Sequence, residues 1–137
     1  MQFLGDLSQL RSGCGMIEGT PVDIARTLAL LPDGATVVAL DLRRYERWVL
    51  DALTLARRHG AWIVAVTDSV LSPLAAVADT ALVVDAASTG PFDSHVGTLA
   101  LLNLLVIDVS VARRDAATER LDRLESTWRE AEALTDD

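Results

Sequence analysis

Short apolar runs alternate with helix-period patterns along most of this chain. Thr36–Leu42 (TVVALDL) and Ala61–Val66 (AWIVAV) are continuous apolar stretches of strand length. Ala81–Val84 (ALVV) reads as a further strand, and Arg11–Ile17, interrupted by Gly13 and Gly15, as a weak one. Pro21–Leu31 reads as a helix with Thr20 as its N-cap and Pro32-Asp33-Gly34 as its stop. Over Tyr45–His59 the residues Trp48, Val49, Ala52, Leu55 and Ala56 share one helical face, with Gly60 just past the end. A short helix over Pro73–Val77 starts from Ser72 as N-cap, with proline at the first helical position. A loop over Ala86–Asp93 then leads to a long helix over Ser94–Arg113.

Strands alternating with helices, and strands apolar throughout, predict an α/β fold with a parallel sheet covered on both faces. The expected architecture is a three-layer αβα sandwich of flavodoxin or Rossmann type with about four strands. Residues 1–114 form this domain, and 115–137 a helical extension. In the extension Leu121, Leu124, Trp128 and Ala131 recur at a/d-like spacing, and Glu119/Arg123 and Glu125/Arg129 are i,i+4 pairs. That seam, with the apolar helix before it, predicts a homodimer.

At 137 residues the chain holds one sizeable core, and with half its residues hydrophobic it is not a disordered segment. The net charge is −8, and every basic residue is arginine. An acidic domain without a basic stripe does not suit nucleic acid, because phosphate neutralisation supplies most non-specific affinity. The apolar stretch from Leu99 to Val111 is interrupted by Asn103 and Asp108, so no membrane span is expected. No secretory signal is read at the N-terminus, and a cytoplasmic location follows. The single cysteine, Cys14, gives no disulfide framework, and nothing calls for a metal or a cofactor.

The stretch most specific to a family is Trp62–Val84, WIVAVTDSVLSPLAAVADTALVV. A strand ending in Thr67-Asp68, then Ser72-Pro73-Leu74 and Ala78-Asp79, resembles the sugar isomerase (SIS) domain. It is closest to the effector domain of RpiR-type bacterial transcriptional regulators. VVALDL with a helix ending LARRHGA, and a long apolar helix after PFDSHVG, extend the resemblance from Val37 to about Asp108. The resemblance implies binding of a phosphorylated sugar or other carbohydrate derivative, in proteins that carry a separate helix-turn-helix domain. No such DNA-binding domain is read here. The family's first strand, which is normally central, also has no counterpart.

The family's phosphate cradle is a Ser-x-Ser-Gly-x-Thr turn after the strand matching Thr36–Leu42. Here Asp41 stands for the first serine, Arg43 for the second, Arg44 for the glycine and Glu46 for the threonine. Two carboxylates repel a phosphate and the lost glycine removes close backbone approach, so the usual mode of sugar-phosphate binding is expected to be lost. The candidate ligand site is Asp41, Arg43, Arg44, Thr67, Asp68 and Ser69, at the carboxyl ends of two strands, where open α/β sheets bind ligands. The arginines either grip a small anionic metabolite or pair with Asp41, Glu46 or Asp68. Thr67, Asp68 and Ser69 either contact the ligand or shape the turn into the Ser72 cap.

His95, opening the long helix beside Asp93 and Ser94, is the weak candidate for a catalytic base, and no other catalytic residue is assigned. His59 fits a helix C-terminus, and Cys14 has no neighbouring base. A non-catalytic ligand-sensing and dimerisation domain is therefore expected. A sugar-phosphate aldose–ketose isomerase and a purely structural dimerisation module are the alternatives.

Overall fold

The computed structural model describes residues 2–134. Residue 1 and residues 135–137, the outer ends of the expected 1–114 and 115–137 segments, lie outside the described residues. Nine elements follow in the order α1 (Gln2–Leu10), α2 (Pro21–Ala29), β1 (Thr36–Leu40), α3 (Arg47–Arg58), β2 (Trp62–Thr67), α4 (Pro73–Val77), β3 (Thr80–Val83), α5 (Val96–Ala112) and α6 (Arg114–Glu130). They fall into two compact units, residues 17–99 and residues 1–16 with 100–137.

The first unit is built on a parallel sheet in the order β1-β2-β3. Thr36 pairs with Trp62 and Leu40 with Val66; Val64 pairs with Thr80 and Thr67 with Val83. The α/β class and the parallel sheet are as expected, but the sheet is open and has three strands instead of about four. The expected strand Arg11–Ile17 is not formed. Gly13 sits there at φ +74°, a left-handed conformation that interrupts an extended ladder.

One face of the sheet carries the core. Val37 and Ala39 of β1 and Ile63 and Ala65 of β2 are buried against Leu28 of α2, Leu53 and Ala56 of α3 and Leu74 of α4. The opposite face is different, since Val38, Leu40 and Trp62 are exposed. Strand β1 therefore alternates between buried and exposed residues, although its sequence is apolar throughout. Trp48, expected on the buried face of α3, is exposed and donates its indole N–H to Glu46.

Local chemistry sets the helix boundaries. Thr20 and Asp23 form a reciprocal capping box ahead of Pro21, with Asp23 N–H donating to Thr20 Oγ1 at 3.3 Å and Thr20 N–H to Asp23 Oδ2 at 3.1 Å. Ser72 Oγ accepts from Ala75 N–H at 3.0 Å and caps α4 as its sequence predicts. Past α4, Asp79 clasps the next strand: its Oδ2 accepts from Ile63 N–H at 2.7 Å, and its own N–H donates to Ile63 O at 2.9 Å. Arg57 of α3 lies 3.7 Å from the same carboxylate and donates to Val77 O at 2.7 Å. Strand β2, helix α3 and the end of α4 are thus tied at one residue.

In the second unit α1 packs on α6. Arg120 donates from its guanidinium to Ser8 O at 2.7 Å and Gln9 O at 3.2 Å, satisfying carbonyls that the end of α1 leaves without intrahelical partners. The two i,i+4 pairs of α6 form as expected, Arg123–Glu119 and Arg129–Glu125, each at 3.2 Å. Helix α5 is apolar around its whole circumference, and α6 leaves it at a bend of 104°. No single helix among the described residues is long and apolar enough to cross a membrane.

Candidate functional site

The carboxyl ends of β1 and β2 lie side by side, since Leu40 pairs with Val66 and Asp41 N–H donates to Val66 O at 3.1 Å. The polar turns that follow are therefore neighbours. Asp68, next after β2, reaches across to the turn after β1. Its Oδ1 accepts from Arg43 N–H at 3.1 Å and from the Tyr45 hydroxyl at 2.7 Å. Asp41 acts in parallel, accepting from Glu46 N–H at 2.7 Å. Backbone N–H groups leading into α3 are the kind that bind anions at helix N-termini. Two of them here are occupied by the chain's own carboxylates.

This turn is strained. Arg43 and Arg44 have φ of +46° and +44°, a left-handed conformation that glycine adopts without penalty and other residues at about 1–2 kcal/mol each. The left-handed turn persists although Arg44 stands where the resemblance places glycine. Arg44→Gly is accordingly expected to stabilise the domain by about 1 kcal/mol, read as a higher urea midpoint at unchanged slope. A lower midpoint would contradict this account of the turn.

The arginines differ in their engagement. Arg43 donates from its guanidinium to Asp93 Oδ1 at 2.7 Å, so the pairing that sequence reasoning sought with Asp41, Glu46 or Asp68 is made by its side chain with a residue 50 positions away. Arg44 is exposed and makes no side-chain hydrogen bond or ion pair among the described residues. Ser69 Oγ accepts from Leu71 N–H at 3.1 Å and Ser69 O from Ser72 N–H at 3.1 Å, which shapes the entry to α4. Thr67 is fully buried at the end of β2, with its hydroxyl unpartnered among the described residues. His95 is exposed just ahead of α5, where its carbonyl accepts from Leu99 N–H at 2.9 Å.

Five of the six expected site residues, Asp41, Arg43, Arg44, Asp68 and Ser69, thus stand on one rim, with Thr67 beneath it. Tyr45 and Asp93 join through Asp68 and Arg43 and were not read as ligand-site residues. The signal for Tyr45 was a phenol three residues from the end of the TVVALDL run. Asp93 carried no comparable signal, since its loop folds back over a long sequence separation.

The Tyr45–Asp68 bond shifts both groups. Burial pushes the Asp68 carboxyl up, but the Tyr45 hydroxyl and the Arg43 amide outweigh it and hold the group below its ordinary range. The bond to Asp68, aided by burial, raises the Tyr45 phenol. The depressed carboxyl contributes stability above the unfolded value of about 4, lost as pH falls through the folded value; the raised phenol contributes below about 10, lost as pH rises past it. Tyr45→Phe is therefore expected to be less stable than the parent by about 1 kcal/mol between about pH 5 and pH 9. The gap should close at either extreme, and urea midpoints across pH check it. A gap that does not vary with pH would disconnect the bond from these titrations.

Comparison with known proteins bears on this rim. The sequence model of the SIS domain matches residues 10–108. The sugar isomerase domain of the RpiR transcription factor from Sphaerobacter thermophilus superposes with a TM-score of 0.78 at 30% identity, covering 91% of this chain and 68% of that one. The Vibrio vulnificus NanR protein, solved in complex with ManNAc-6P, gives a TM-score of 0.80 at 18% identity, a likeness of fold, over 98% of this chain and 51% of that one. The chain thus spans about two thirds of the first relative's length and half of the second's. No curated protein matches the sequence.

Proposed function

The chain belongs to the SIS domain family, and on that premise we propose that it is a non-catalytic domain sensing a carbohydrate derivative at the rim formed by Asp41, Arg43, Arg44, Tyr45, Asp68 and Ser69. The observation that carries the reading is the Asp68 bridge, which fixes the turns after β1 and β2 into one polar edge at the carboxyl end of a parallel sheet. The ManNAc-6P bound to the NanR neighbour supports a sugar derivative as the ligand class. The chain's own carboxylates fill two backbone donors, so an anionic group on the ligand is gripped by Arg44, and by Arg43 once it leaves Asp93. The exposed His95 imidazole makes no hydrogen bond that would orient it as a base, which favours sensing over isomerisation.

Sensing needs an output, and α5 provides a surface for one. Val96, Leu99, Leu104, Ile107 and Val111 are exposed on one broad face of this apolar helix, a larger apolar surface than an isolated soluble domain ordinarily presents. Two copies packed along this face form the homodimer through which ligand binding is passed on to a partner.

A thermal-shift series with ManNAc-6P, other sugar phosphates and their unphosphorylated counterparts tests the reading. A ligand at ten times its Kd stabilises the folded state by about 1.4 kcal/mol, a Tm rise of roughly 4 °C. Arg44→Ala should reduce the response to phosphorylated members. If no compound raises Tm at millimolar concentration, the sensing role is lost and a purely structural module remains.

A further inference from the structure

The parallel ladder leaves one edge of the sheet open. Trp62 N–H donates to Ala35 O at 2.9 Å and Asp41 N–H to Val66 O at 3.1 Å, so the odd-numbered residues of β1 face β2. Backbone groups alternate in direction along a strand, and the N–H and C=O of Thr36, Val38 and Leu40 therefore point away from β2. Outside the sheet ladder, no hydrogen bond among the described residues reaches them. The side chains there are apolar and accessible, with Val38 43%, Leu40 42% and neighbouring Trp62 54% exposed. Natural edge strands are blunted by charge, proline or a bulge, and the TVVAL sequence of β1 has no charge and no proline.

The helices show what fits this edge. Helix α3 lies over β1 and β2, and α4 over β2 and β3. Helix α2 packs along α3 on the flank away from α4. Neighbouring helices stand about 8–10 Å apart and strands about 4.8 Å apart, so one helix step covers about two strand positions. Helix α2 therefore lies beyond β1, over a place where the chain has no strand.

We propose that this slot, with the β1 edge along its side and α2 above it, takes a single apolar β-strand from a partner polypeptide. The outward N–H and C=O groups require an extended segment, since a helix satisfies its own. The uncharged edge and the apolar residues beside it require apolar side chains. A second copy does not fit, because edge-to-edge pairing would bring its own α3 to the position that α2 occupies. Docking in this slot extends the sheet next to the ligand rim without using any rim residue.

The test follows amide hydrogen exchange by NMR on the full chain, with a synthetic peptide of five alternating valines and threonines flanked by lysines as the probe. In the free protein the amides of Thr36, Val38 and Leu40 should exchange far faster than those of Val37 and Ala39. Millimolar peptide should slow them at least tenfold. Val38→Pro removes only an outward N–H, a change that edge strands tolerate, and it should abolish that protection with the circular dichroism spectrum unchanged. If that variant does not fold, Leu40→Lys serves instead, placing a charge at the edge. The proposal is overturned if the three amides are already protected in the free protein, if the peptide leaves their exchange unchanged, or if a folded edge variant binds the peptide as well as the parent.

Discussion

Replacing Asp79 with alanine is expected to destabilise the domain by about 3 kcal/mol, read as a fall in the urea midpoint. Its carboxylate accepts the Ile63 N–H at 2.7 Å, where β2 begins and Ile63 itself is fully buried. A hydrogen bond to a charged group contributes about 1.5–3 kcal/mol, and removing one partner leaves a buried donor that costs about 1–3 kcal/mol. Alanine also removes the carboxylate facing Arg57, an exposed contact that adds little. Asparagine keeps an acceptor oxygen and should recover most of the loss. If alanine and asparagine behave alike, or if both are neutral, Asp79 is not the clasp described here.

A second large effect is expected on α5. With glutamate at both Leu104 and Ile107, the protein should run as a monomer in light scattering at concentrations where the parent is a dimer. Both side chains are exposed within one chain, so the substitution creates no cavity in the monomer. At a dimer seam it buries like charges on both sides of the two-fold axis, at a cost of several kcal/mol and a dissociation constant raised by roughly a hundredfold or more. A parent that is monomeric at all concentrations removes the dimer from the proposed function. A double variant that stays dimeric moves the seam off this face of α5.

Asp79 also illustrates why the fold was largely legible. The run from Trp62 to Val84 contains a strand, a cap, a helix and a clasp whose partners lie within 16 residues of one another. Strands β1 to β3 and helix α4 accordingly appear within about two residues of where apolar runs and the Ser72-Pro73 start place them. Where stability comes from afar, the sequence misled. Helix α1 has no cap of its own and is held by α6 and Arg120, more than a hundred positions on, so its pattern alone did not announce a helix. Arg11–Ile17 carries apolar residues at strand spacing, but it includes a left-handed Gly13 and finds no strand to pair with.

The site was legible in position but not in wiring. That Asp41, Arg43, Arg44 and Asp68 share an edge follows from strand order alone. That Asp68 holds the Arg43 amide, 25 residues away, and that Arg43 holds Asp93, 50 residues away, depends on turn geometry no local pattern encodes. The substituted cradle reads as a loss in the sequence. In the structure the lost serines and glycine are replaced by an internal network, in which carboxylates occupy donors of the turn and Arg44 alone of the two arginines remains disengaged.

The most direct test of the central claim is amide chemical-shift mapping during titration with ManNAc-6P and with the same sugar lacking its phosphate. The account predicts saturable shifts over residues 41–46 and 67–69 with at least one of them, abolished in a folded Asp68→Ala variant. Shifts confined to other parts of the chain, or none at millimolar concentrations of either compound, would contradict it.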